Sequence, residues 1–282
     1  MTAHIKEIFL LVRPYSLIDI ALVAFLLHIL IVGELILNLN FIINILVALC
    51  WWIALNLLSE SQKNKNIPIY LSFIFFAILV YMITIKNPSG LLFLAFSLLT
   101  LMLYVSKRKN FILGIISPIS RGLLHLSLIV IILTINNAFS LEFLSQNIGI
   151  IFVLVLIIIS RNLMADIRDV DVDRFSLPKV IGKDSSFFLI ELSLLVSIFI
   201  IKDILAVLPF IFLFFIILFY RNAYLLHRIY IIVTTFFSIN YIFLLLNINL
   251  IYNAFLLTAV LLNFTYDHVP RTLHRKMKCL KL

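Results

Sequence analysis

The segment from Arg161 to Lys183, RNLMADIRDVDVDRFSLPKVIGK, holds four of the chain's 13 acidic residues, Asp166, Asp169, Asp171 and Asp173, within eight positions. Everything on either side of it is apolar. If the preceding helix runs on through it, Asp166, Asp169 and Asp173 stand at i, i+3 and i+7 on one face, and Asp171 points elsewhere. Carboxylates so crowded repel one another unless a cation lies between them. Hard oxygen donors in this arrangement suit Mg²⁺, which takes one or two carboxylates and completes its shell with water and substrate phosphates. Arg161, Arg168, Arg174, Lys179 and Lys183 are interleaved with them. The plainer alternative is a solvated acidic loop between two membrane helices; the shared face and the interleaved cations favour a metal–phosphate site.

The surroundings set the fold class. The chain has 282 residues, of which 64% are hydrophobic, with a mean hydropathy of +1.20. Such a composition excludes a soluble domain and specifies an all-α, polytopic transmembrane bundle, read here as a single domain over 1–282. Spanning runs fall near 15–37, 40–58, 68–86, 90–106, 111–135, 148–164, 186–201, 204–220, 229–246 and 249–265. A helix rises about 1.5 Å per residue against a hydrocarbon core of about 30 Å, so the shortest of these barely reach across. The first fourteen residues, MTAHIKEIFLLVRP, carry no small-residue cleavage site and read as an interfacial helix. Cys50 and Cys279 make no disulfide framework.

The net charge of +9 follows membrane topology and gives no reason to expect nucleic acid. Connections on one side hold Lys6, Arg13, Lys63, Lys65, Lys107, Arg108, Lys109, Arg161, Arg168, Arg174, Lys179, Lys183, Arg221, Arg228, Arg271, Arg275, Lys276, Lys278 and Lys281. The other side holds Lys86 and Lys202, and Arg121 lies within a span. The positive-inside rule then places both termini and the acidic segment in the cytoplasm, in a multi-pass cell-membrane protein.

Three further features fall on the same side or near it. At the end of the second span, Asn56, Glu60 and Asn64 recur at i, i+4 and i+8, one helical face that either caps the exiting helix or offers a second oxygen-rich surface. Tyr104, Lys107 and Arg108 close the fourth span, where basic side chains hold phosphate oxygens or simply anchor the helix at the interface. Arg121 lies ten residues, or about 15 Å, into the fifth span; an intramembrane Arg normally faces a cavity or a partner. His125, one turn on, is more often a satisfied interior residue than a catalyst, and Pro118 one turn before Arg121 suggests a bent, polar-lined face.

These residues resemble the UbiA superfamily of intramembrane prenyltransferases, whose two Asp-rich motifs follow the second and sixth helices. The second motif is similar over Asp166-x-x-Asp169-x-x-x-Asp173, with Arg174, Leu177, Pro178 and Gly182 after it and Arg161 before it. Arg13-Pro14 and the Tyr104/Lys107-Arg108 segment are similar too. The first motif departs: the family's approximate N-D-x-x-D-x-x-x-D appears here as Asn56, Leu57, Glu60 and Asn64, with one carboxylate. The family has nine helices where ten runs are read here, and the segment after Arg174 is shorter and lacks a Gly.

The resemblance implies nine to ten spans around a central cavity open to the cytoplasm. It also implies prenyl transfer from a polyprenyl diphosphate to a lipophilic, membrane-associated acceptor, a quinone precursor or a prenylated glycerol lipid, with membrane lipid around it. Asp166, Asp169 and Asp173 would hold Mg²⁺, and Asn56, Glu60 and Asn64 a second ion more weakly. Lys107, Arg108, Arg168, Arg161 and Tyr104 would meet the diphosphate, and Arg121 would line the cavity. Competing readings are a tetrapyrrole acceptor, phosphoribosyl transfer to a polyprenyl phosphate, a CDP-alcohol phosphotransferase, a small polytopic transporter, and a divergent member without activity.

Overall fold

Short polar side chains mark where the helices begin. The computed structural model describes residues 14–61, 69–171 and 173–246, with Pro14, Tyr15 and Arg108 known by their backbone only. Pro14–Val32 forms α1, Leu39–Ser61 α2, Ile69–Lys86 α3 and Gly90–Val105 α4. After a 3₁₀ turn at Ser106–Arg108 come the short α5, Phe111–Ile115, then α6, Ser117–Ile135, and α7, Leu141–Arg168. The short α8, Leu177–Ile181, leads to α9, Lys183–Ile200, α10, Ile204–Phe219, and α11, Ala223–Leu245. Asn110, Ser140, Asp203 and Asn222 each precede a helix and accept from N–H groups of its first turn, which otherwise have no partner.

Among these helices, α2, α3, α6, α7 and α11 are long and apolar enough to cross a membrane. The described residues are all-helical, and these five helices mark a membrane protein by their length and apolar composition. Its outer faces are apolar: α3 buries only Ser72, Leu79 and Ile83, while Tyr70, Phe73, Ile74, Tyr81 and Ile85 point outward. In water such a surface would aggregate; in lipid it is the solvated face. Each of the first nine runs read from the sequence overlaps one described helix of 16 residues or more. The tenth, 249–265, lies outside the described residues, as do the N-terminal interfacial segment and Asn64.

Helix α7 packs on α6, α9 and α11, while α1 packs on α2, α6 and α11, so the last described helix returns to the first. Gly122 lets α6 approach α7 closely: a Cβ there would lie 2.5 Å from Ile159 Cγ1. The two ends of the bundle differ chemically. One is tied by neutral groups: Asn87 donates to the Thr134 carbonyl and to Asn137, Asn136 donates to Asn44, and Asn44 meets His28. The other end carries the charged segment.

Two expectations are corrected here. The acidic segment continues the helix only through Arg168, so Asp166 is helical while Asp169 is the C-cap of α7 and Asp173 lies beyond it. Nor is 111–135 one span. It breaks at Ile116, and Pro118 takes a first-turn position of α6, where its missing N–H costs nothing. Arg121 therefore sits about 6 Å along α6, little more than one turn in, rather than deep within a continuous span.

Candidate functional site

The acidic segment is held by an interlock with α5. Gly114 lies so close to Phe175 that an added Cβ would fall 2.5 Å from the Phe175 Cβ and 2.9 Å from its carbonyl carbon and oxygen. The Phe111 ring meets Phe175 edge-on at 5.9 Å. This contact folds the chain after α7 back over the end of α4 and the start of α6.

At that junction Lys107, on the 3₁₀ turn, donates to Asp166 Oδ1 at 2.9 Å and to Asp173 Oδ2 at 3.2 Å. Asp166 comes from the last turn of α7 and Asp173 from the loop seven residues on. The second Asp166 oxygen accepts from the Ser117 hydroxyl at 3.3 Å. All three charged side chains are largely buried, at 13%, 6% and 10% exposure. The cation that the crowded carboxylates require is thus supplied by the chain itself. Burial alone lowers the pKa of an ammonium, but Tyr104, Asp166 and Asp173 outweigh it and hold Lys107 above the ordinary lysine value.

Asp169 does not share this point. Arg168, its neighbour in sequence, clamps it with Nε at 2.8 Å and Nη2 at 2.5 Å. Asp171 is exposed, 3.8 Å from Lys183, which is also exposed, and takes no part in the Asp166–Asp173 pair. Arg161 also departs from its expected role. It pairs at 2.6 Å with Asp19 of α1, whose other oxygen accepts from Thr235 of α11. Asp19 is the residue that reading the sequence passed over. A carboxylate within an apolar run was the signal that pointed to it, since such a group needs a partner.

The cluster extends into the bundle through aromatic rings. Lys107 Nζ lies 5.4 Å from the Tyr104 ring centroid, and the Arg121 guanidinium lies 4.9 Å from both Tyr104 and Trp52. Arg121 is 8% exposed, so its charge is met by ring faces and not by lipid. Trp52, Asn56 and Glu60 stand at i, i+4 and i+8 on α2, one stripe, with Asn56 buried and Glu60 half-buried. Contacts therefore run from the first polar face, through Trp52, Arg121 and Tyr104, to Lys107 and the two aspartates. Trp52 was not expected in this role. His125 bonds through Nδ1 to the Arg121 carbonyl at 2.9 Å and packs against Trp51 and Trp52, a satisfied interior residue.

Among the described residues no three His, Cys, Asp or Glu side chains gather as a metal-binding group. The expected three-carboxylate set is reduced to Asp166 and Asp173, whose oxygens converge on one point at Lys107 Nζ. Two converging carboxylates fit Mg²⁺ of the kind that draws its remaining ligands from water and phosphate. Comparison of the chain with protein-family models, with curated proteins and with solved structures finds no match in any of the three.

Proposed function

We propose that this chain is an intramembrane prenyltransferase that moves a prenyl group from a polyprenyl diphosphate to a lipophilic acceptor. The observation that carries the reading is the meeting of Asp166, Asp173 and Lys107 beside the Tyr104–Arg121–Trp52 stack, at one end of an apolar bundle. A diphosphate needs fixed positive charge, and a prenyl tail needs apolar walls; here the two adjoin. The proposed setting is a cell membrane crossed nine to ten times, with the site at the cytoplasmic end, supported by the sidedness of the basic residues.

In this reading Asp166 and Asp173 hold Mg²⁺, which when bound neutralises the departing diphosphate. Lys107 contacts the phosphates directly, and Arg108 and Arg168 flank the same turn and helix end. The bond from the first prenyl carbon to the bridging oxygen breaks, pyrophosphate leaves with the electron pair, and the acceptor's nucleophile attacks the allylic cation and loses its proton. Trp52 and Tyr104 border the space with ring faces and keep water from that cation. Asn56 and Glu60 approach the same region from α2 and would take part in a second, weaker cation site.

The test is direct. The purified protein in detergent, with Mg²⁺, a mixed pool of prenyl diphosphates and candidate acceptors, is expected to yield prenylated product detectable by mass spectrometry. Asp166→Asn is expected to remove that product. No product from any acceptor, or undiminished product from Asp166→Asn, would refute the reading.

A further inference from the structure

We propose that Lys107 is the resting counter-cation of the Asp166–Asp173 pair and competes with the divalent metal for it, so that metal binds well only after a diphosphate draws the lysine away. The inference rests on the prenyltransferase reading for its ligand, but its core is electrostatic. Lys107 Nζ stands 2.9 Å from Asp166 Oδ1 and 3.2 Å from Asp173 Oδ2, the point on which the two carboxylates converge. A divalent ion placed there would face a buried ammonium at close range, and that repulsion offsets much of the attraction of the carboxylates.

The lysine has somewhere else to go. It is carried on a 3₁₀ turn, on a flexible four-carbon stem. An entering diphosphate brings several negative oxygens and gives the ammonium an alternative partner. Asp166 keeps its Ser117 hydrogen bond throughout, so one carboxylate stays oriented when the lysine leaves. The site then fills in order, diphosphate with metal, and an empty site does not sequester metal. Lys107 is in this respect a positioning residue for the metal as well as a phosphate contact.

The experiment measures Mn²⁺ binding by electron paramagnetic resonance on the full-length protein in detergent, with and without inorganic pyrophosphate. The native chain is expected to bind Mn²⁺ weakly alone and at least about tenfold more tightly with pyrophosphate. Lys107→Met is expected to bind Mn²⁺ about tenfold more tightly than the native chain when pyrophosphate is absent. Lys107→Arg, which keeps the cation, is expected to stay weak, and Lys107→Met with Asp166→Asn is expected to lose the gain. Size-exclusion profiles and melting curves establish that each variant is folded. Should a folded Lys107→Met bind Mn²⁺ no better than the native chain, the competition does not exist, whether or not prenyl transfer is observed. A gain in metal binding without prenyl product would uphold the competition and refute the prenyltransferase reading.

Discussion

Asp19 and Arg161 pair across the bundle interior and tie α1 to α7. Their side chains are 15% and 20% exposed, and Thr235 satisfies the remaining Asp19 oxygen. Removing one partner of such a pair strands the other charge, at a cost of about 3–5 kcal/mol. Arg161→Leu is therefore expected to lower the melting temperature in detergent markedly, and adding Asp19→Leu is expected to restore part of the loss. A double variant no more stable than Arg161→Leu would contradict the pairing. Among the aspartates the structure ranks the outcomes. Asp166 and Asp173 share Lys107, whereas Asp169 is turned aside by Arg168. In the prenyl-transfer assay Asp169→Asn is expected to retain a larger fraction of native activity than Asp166→Asn, and the reverse order would return Asp169 to the metal set.

At the scale of elements, two glycines hold the functional end together for different reasons. Gly182 joins α8 to α9 with φ +88° and ψ 158°, a backbone conformation open essentially to glycine alone. Gly182→Ala is expected to cost about 1–3 kcal/mol of stability without moving the aspartates directly. Gly114→Ala is different, because its Cβ would meet Phe175 backbone that has no rotamer by which to yield. That variant is expected to loosen the contact of α5 with the acidic segment and to lower prenyl transfer more than Gly122→Ala, whose nearest neighbour is the Ile159 side chain and not the acidic segment. Comparable activity in Gly114→Ala and Gly122→Ala would show that the interlock does not govern the site. The Lys107 bridge also has a defined pH dependence. Its folded pKa is raised, so its stabilisation is fully present below the ordinary lysine value and is lost only as pH rises through the higher one. The stability difference between native chain and Lys107→Met is thus expected to be level from about pH 7 to about pH 9.5 in melting curves.

For the whole molecule, the contrast between ends is the guide to orientation. The end holding Lys107, Arg168 and Lys183 is basic, while the opposite end is tied by Asn44, Asn87, Asn136 and Asn137 with Lys86 nearby. Reporters fused after Leu282, and cysteines introduced at 109 and at 37, test this together. Modification at 109 is expected from the cytoplasmic side and at 37 from the opposite side, with the terminal reporter active inside. A terminal reporter active only outside would remove the tenth span and leave nine.

The sequence by itself determined the helical class and the approximate placement of the described long helices, and it singled out Lys107, Asp166 and Asp173 as candidates. Those follow from hydrophobic runs and charge placement, which are local and periodic. Only the tertiary structure decided how the charges are partnered. Asp169 left the shared face because α7 stops at Arg168, and Arg161 left the phosphate set because Asp19, 142 residues away, lies opposite it. Arg121 kept its place near the site but changed its depth, because Pro118 begins a helix there instead of bending one. Helix ends set the first and third outcomes locally, at Arg168 and Pro118, but the Arg161 outcome joins residues 142 apart, in a low-dielectric interior where a charge goes to the nearest partner that three-dimensional packing supplies.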